Sequence, residues 1–285
     1  MSNGVDDREH LYHAEAEVLT GNLRLPLAQE IKSQASAKLS EKGGYLSQHE
    51  TDYRLEGVIK FDRAYTQTSG NPGLKPGHGW TTLATSVLEG LNILDVVTAD
   101  RVVGQMFVEH PLEGYVPEIS FLGTRFENLR VAGHPVTIDI DCNHFGPKPD
   151  SDAPYTSSAG FLDRVNRQHE QARKHASLLK ELLQRYTGVS PTNKEPEGVE
   201  CSLVNQARGP EGGVFPGECH GHVIHIPHFG TLCLANVRLE HSDYNESGTP
   251  KKTLVRLTMI EAHMGCVAEG FAAVGGLTTN GMTRP

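Results

Sequence analysis

The chain is poor in aromatic residues, which make up 6% of its 285 residues and include a single tryptophan, Trp80. Carbohydrate-binding surfaces usually present several aromatic rings, so this scarcity argues against one and leaves Trp80 as a core or loop anchor. Long apolar runs are also lacking, and none approaches the roughly 20 residues that cross a bilayer as a helix. The first ten residues, Met1 to His10, are polar and acidic, with neither a basic nor an apolar block. They do not read as a secretory signal, and a cytoplasmic location is the expectation. Without secretion, the glycosylation sequon Asn245-Glu246-Ser247 carries no meaning. Net positive charge is absent too: the formal charge is -9. Nucleic acid and anionic membranes need a positive surface, so neither is an expected partner. The five cysteines, Cys142, Cys201, Cys219, Cys233 and Cys266, are odd in number and never form CxxC. A disulfide framework and a four-cysteine zinc site are therefore disfavoured, and reduced, mostly buried thiols are expected. Several catalytic templates are missing as well. There is no GxSxG elbow and no phosphate loop, Gly77-His78-Gly79 lacks the third glycine of a dinucleotide turn, and His169-Glu170 lacks the second histidine of HExxH.

What is present is mostly period-two patterning, the mark of half-buried strands. From Ile31 to Leu39 one face carries Ile31, Ser33, Ala35, Ala37 and Leu39. From Val136 to Cys142 one face carries Val136, Ile138, Ile140 and Cys142, and the other Thr137, Asp139 and Asp141. Further strands are expected over 12–19, 23–27, 53–66, 93–108, 118–121, 126–131, 199–205, 222–226, 231–239 and 254–262. Gly21-Asn22, Gly43-Gly44, the 69–79 loop, Ala132-Gly133 and 245–250 supply turn signals between them. The expected fold is mainly β, an antiparallel sandwich or barrel with one long amphipathic helix inserted near residues 158–186. The expected organisation is one large β-rich domain over 1–285. Two related β halves, about 1–150 and 190–275, joined by the helix are the alternative. Gly123-Thr124 followed by Asn128-Leu129-Arg130-Val131 echoes Gly230-Thr231 followed by Asn236-Val237-Arg238-Leu239. Residues 187–197 and 208–217 read as exposed loops, and 276–285 as a mobile tail with little to bury.

The helix rests on a stripe of Phe161, Val165, Ala172, Ala176, Leu179, Leu183 and Tyr186, roughly 80° wide at helical spacing. Ser157 or Ser158 can cap its start and Gly188 can end it. Its polar face carries Arg164, Arg167, Arg173, Lys174, Lys180 and Arg185 against Asp163, Glu170 and Glu181. A net basic face on an acidic protein suits docking to an acidic surface such as a second subunit.

Chemistry concentrates in Cys219 to Gly230, which holds four of the 15 histidines. Imidazole is a common metal ligand and titrates near neutrality. In an extended strand His220 and His222 share a face, and His225 points the other way. A metal site then needs a third ligand from another strand, and Asp141 is the candidate. His220, His222 and Asp141 would form a two-histidine, one-carboxylate site with open positions for iron(II) or zinc. Asp139 or His144 would act beside it as base or orienting group. The His-x-His pair resembles the metal-binding pair of cupins, which are β-barrels. The glutamate which that family places a few residues later is absent, since Ile226, Pro227, His228 and Phe229 follow. Cys219 beside His220 offers a nucleophile and base, but strand neighbours face opposite sides. Glu56 with Asp62, or Glu118 with Glu127, are carboxylate pairs for acid–base chemistry among 35 acidic residues.

Two functions follow. The first is a soluble β-rich binding or self-assembling protein without conventional catalysis, a homo-oligomer or a binder of a small molecule. The second is a zinc- or iron-dependent enzyme on a β scaffold.

Overall fold

A computed structural model describes residues 9–73, 78–174, 180–189, 198–212, 214–265 and 268–284. Cys266, Ala176, Leu179 and most of the 187–197 loop fall outside these residues, as do the side chains of Lys180 and Glu181.

Two antiparallel sheets form the body. The first has eight strands, in the spatial order His134–Pro135, Arg130–Val131, Val97–His110, Trp80–Ile93, Ile59–Pro72, Gly44–Leu55. Glu118–Ser120 and Arg125–Glu127 also pair with Val97–His110. The second has nine, in the order Glu218–His220, Val223–Ile226, Gly230–Tyr244, Pro250–Gly265, Glu269–Thr279, Ala14–Leu25, Gln29–Gln34. Val199–Ser202 and Ala37–Lys38 add to it, on Gly230–Tyr244 and Ala14–Leu25 respectively. Neither sheet closes on itself, so the architecture is a sandwich and not a barrel. The N-terminal strand Ala14–Leu25 lies beside the C-terminal strand Glu269–Thr279, so the sheets do not follow the two sequence halves.

The two sheets face each other across one contiguous apolar core that runs from Tyr12 to Leu277. Ser86 ties them directly, its hydroxyl donating to the Glu17 carbonyl at 3.0 Å. Burial distinguishes the sheets. Ile59–Pro72 alternates buried and exposed residues, as a strand with one face in solvent must. Gly230–Tyr244 is buried on both faces for most of its first ten residues, because a helical layer covers its outer side.

That layer contains α1 (Ala159–Arg173) and α2 (Lys180–Arg185). Ser158 caps α1, accepting from the Phe161 N–H at 3.4 Å. Phe161, Leu162, Val165, Gln168, His169 and Ala172 are buried, a helical stripe that includes two polar residues. The helix expected over 158–186 is present as α1 from Ala159 to Arg173 and α2 from Lys180 to Arg185, with residues 175–179 between them outside the described residues. The Lys174 N–H bonds back to the Gln171 carbonyl at 3.2 Å, a tightened last turn of α1.

The turn signals were uneven. Ala132-Gly133 does join two strands, with φ of 47° and 81°. Glu56-Gly57 and Leu94-Asp95, also at positive φ, turn two long hairpins that the alternation pattern had run through. Gly21, read as a turn, sits inside Ala14–Leu25, where an added Cβ would collide with the Phe271 carbonyl oxygen of the next strand. The Gly21 signal therefore marks a close backbone approach. The expected mobile tail is paired instead: Glu269–Thr279 runs through residues 276–279, and Met282–Arg284 pairs with Glu9–Leu11. The two echoing segments differ in setting. Asn128 lies outside the strands at a φ of 51°, whereas Asn236 lies within Gly230–Tyr244.

Candidate functional site

The polar residues on the buried side of α1 fix it to the chain beneath. Gln168 donates to the Ser202 carbonyl at 2.8 Å and accepts from the Ser202 N–H at 2.9 Å. Asn166 makes the same two-way contact with Val189, at 2.9 and 2.8 Å. His169 donates through Nε2 to the Glu200 carbonyl at 2.7 Å, so Nδ1 is free to accept from the Gly188 N–H at 3.2 Å. Burial lowers the pKa of His169 and favours this neutral tautomer. These contacts pair backbone groups of the strand Val199–Ser202 and of the segment Gly188-Val189.

With α1 held in this way, a cleft of about 360 Å³ opens along it, lined by Asp141, His144, Arg164, Arg167, Gln168, Gln171 and Asn205. Asp141 and His144 come from the segment after Thr137–Ile140, and Asn205 from Val204–Arg208, the strand paired with it. The Asp141 N–H bonds to the Leu203 carbonyl at 2.7 Å, and its carboxylate accepts from the Asn143 N–H at 2.9 Å. Arg164 donates through Nε to the His144 carbonyl at 2.7 Å. His144 itself is 1% exposed, and neither ring nitrogen has a hydrogen-bond partner. Burial, then the Arg164 charge, hold its pKa down to about 4 against the opposing pull of Asp141. It is therefore neutral at physiological pH, with one N–H to give and one lone pair to receive.

The other predicted residues are placed apart from this cleft or behind it. Asp139 is exposed on the strand Thr137–Ile140, opposite Gln206. His220 ends the strand Glu218–His220, and His222 lies in the tight turn before Val223–Ile226, with Gly221 between them at a φ of 62°. The turn, and not an extended strand, sets their directions. His220 Nε2 lies 3.9 Å from a carboxylate oxygen of Glu218. His222 is fully buried, its Nε2 2.9 Å from the Tyr186 hydroxyl. Burial, then His169, depress its pKa to about 3. Among the described residues, His220, His222 and Asp141 do not come together as a metal-sized group. The expected face-sharing of the histidines fails because Gly221 turns the chain.

The set that does come together is Cys233, Glu261 and His263, whose ligand atoms all lie within 4.8 Å of one another. All three sit on the outer face of the second sheet. Cys233 is directly opposite Glu261 in neighbouring strands, and His263 is two residues further along. Tyr186, just past α2, donates its hydroxyl to Cys233 Sγ at 3.7 Å. The same hydroxyl lies 2.9 Å from His222 Nε2. Glu261 accepts from Arg185 at 2.7 Å and from Asn236 at 3.1 Å. Burial disfavours its charge, but the hydrogen bond from His263 and the charge and hydrogen bond of Arg185 outweigh that and hold its pKa at about 2. The sequence carried one sign of this group. Glu261 and His263 are alternate residues within the otherwise apolar stretch Met259–Met264, so two ionisable groups share one face of it.

Residues 10–240 match the family described as Domain of unknown function (DUF8256), which is most of the chain. No curated protein and no solved structure matches it.

Proposed function

Because the chain belongs to the family Domain of unknown function (DUF8256), we propose from the site itself that the protein is a binding protein for a small polar anion, held in the cleft along α1. His144 carries the reading: a buried imidazole with both nitrogens unpartnered, at a cleft lined by two arginines. Buried polar groups are almost always hydrogen-bonded, so an unpartnered pair of this kind is an unfilled role. Arg164 and Arg167 would receive a carboxylate or phosphate, for which guanidinium geometry is suited. Asp141 would receive a hydroxyl or amine of the same molecule, since an ionised carboxylate only accepts. The ligand class is thus a hydroxy acid, an amino acid or a sugar phosphate. Titration calorimetry with a panel of these three classes tests the reading. Saturable binding by one class, weakened at least tenfold in Arg164→Gln, supports it, and no binding by any class contradicts it.

A second reading, self-association, is favoured by one observation. Gly44–Leu55 is a long edge strand exposed along most of both faces, with Tyr45 65% exposed. Such an edge is a template for pairing with another chain. Light scattering on the protein and on Ser47→Pro tests this. A mass above one chain that falls in the variant supports edge pairing, and a monomeric mass contradicts it.

We do not build an enzyme reading on His220, His222 and Asp141, which do not form a metal-sized group among the described residues. No helix among the described residues is long and apolar enough to cross a membrane.

A further inference from the structure

We propose that Cys233, Glu261 and His263 form a binding site for a divalent transition metal of the zinc class, separate from the anion cleft. The three side chains offer a sulfur, an oxygen and a nitrogen within 4.8 Å of one another. Ligands of one tetrahedral ion with metal–ligand distances of about 2.0–2.3 Å stand roughly 3.3–3.8 Å apart, so side-chain shifts of about 1 Å would close this set around one ion. The mixed thiolate, imidazole and carboxylate set suits zinc and its analogue cobalt(II), and disfavours magnesium and calcium, which take oxygen alone. Three protein ligands leave a fourth position for water or a further ligand.

Two observations besides this spacing suit a cation. Asn236 Oδ1 is buried without a hydrogen-bond partner while its amide nitrogen reaches Glu261, and His263 Nε2 faces the same carboxylate at 3.7 Å. The second is the Tyr186 hydroxyl aimed at Cys233, with His222 behind it. Sulfur is a weak acceptor as a thiol and a far better one as a thiolate, so this donor is matched to the metal-bound form. Arg185 and Asn236 each engage Glu261 through one oxygen, and a carboxylate has lone pairs left for a metal.

Without metal the thiol is protonated at neutral pH. Burial and the Glu261 charge push it up to about 12 against the bond from Tyr186. Binding therefore releases one proton from Cys233 to solvent as the metal–sulfur bond forms. Access is from the side of His263, which also lines an outer-face cleft of about 590 Å³ with Asn22, Arg24, Glu269 and Phe271.

The test uses the full chain, stripped with a chelator and titrated with cobalt(II) alone. The expected result is a near-ultraviolet sulfur-to-cobalt charge-transfer band and visible tetrahedral bands that saturate at one equivalent and disappear on adding zinc. Cys233→Ser should abolish the charge-transfer band, and His263→Ala should weaken affinity at least tenfold. Cys219→Ser, a partly exposed thiol elsewhere, should leave the spectrum unchanged. Circular dichroism of each variant confirms that the sheets are intact. If Cys233→Ser fails to fold, His263→Ala and Tyr186→Phe decide the matter, the latter by a weaker affinity, since outer partners of ligands typically contribute about 10–100-fold. No charge-transfer band in the unmodified protein, or a band that follows Cys219 in place of Cys233, overturns the proposal.

Discussion

Acid should unfold this protein well above the carboxylate range, because it buries several histidines in neutral form. His110 and His222 are fully buried, and burial holds each pKa down to about 3. Burial likewise holds His10, His144 and His241 down to about 4. In the unfolded chain each returns to about 6.5. Between the two values the unfolded chain binds more protons, so stability rises with pH and is lost on acidification from about 6.5 downward. At pH 5.5 an unfolded histidine is about nine-tenths protonated, and the native one is almost wholly neutral. That difference costs about 1.4 kcal/mol per group relative to pH 8. Five such groups together cost about 7 kcal/mol, which is comparable to the whole stability of a typical domain, about 5–15 kcal/mol. Glu261 does not blur the window. Its folded pKa is depressed to about 2, so its contribution is fully present above about 4.5 and is lost only below that. The assay is urea unfolding at pH 8, 6.5 and 5.5, followed by circular dichroism. His110→Gln should reduce the loss between pH 8 and 5.5 by about 1.4 kcal/mol. Equal stability at pH 8 and 5.5 would refute the reasoning.

Other perturbations test the packing. Gln168→Leu removes both contacts to Ser202 and strands its buried N–H and C=O; it should destabilise by about 2–4 kcal/mol, read from the urea midpoint. Gly21→Ala places a methyl against the Phe271 carbonyl oxygen and should cost roughly 1–3 kcal/mol in the same assay. Ser158→Ala removes the cap of α1 and should cost about 1 kcal/mol, with a small loss of helical signal.

The sheets were legible because period-two alternation reports a strand with one wet face, and the first sheet consists largely of such strands. The same logic placed Asp139 correctly on an exposed face. It failed where the alternation ran on without a pause. Leu94-Asp95 turns a hairpin with no glycine or proline to announce it, and Glu56-Gly57 was read as strand for its neighbours. The helix was visible from its apolar stripe, but its anchors were not. Gln168 and His169 are polar residues on a buried face, and nothing local tells a satisfied buried amide from a solvated one. The site divided in the same way. Asp141 and His144 are close in sequence and do share a cleft. Cys233, Glu261 and His263 belong to two strands whose register only the folded sheet fixes. His220 and His222 misled because spacing by two means a shared face only in an extended chain, and Gly221 bends it.

The central claim is that the cleft along α1 holds an anion against His144. The most direct measurement is the nitrogen-15 spectrum of the histidine rings during titration with the tightest-binding member of the ligand panel. The account predicts that both His144 ring nitrogens shift on saturation, that His241, remote in sequence and bonded to Thr253 at 3.0 Å, does not, and that Arg164→Gln removes the effect. An unchanged His144 signal at saturating ligand would contradict it.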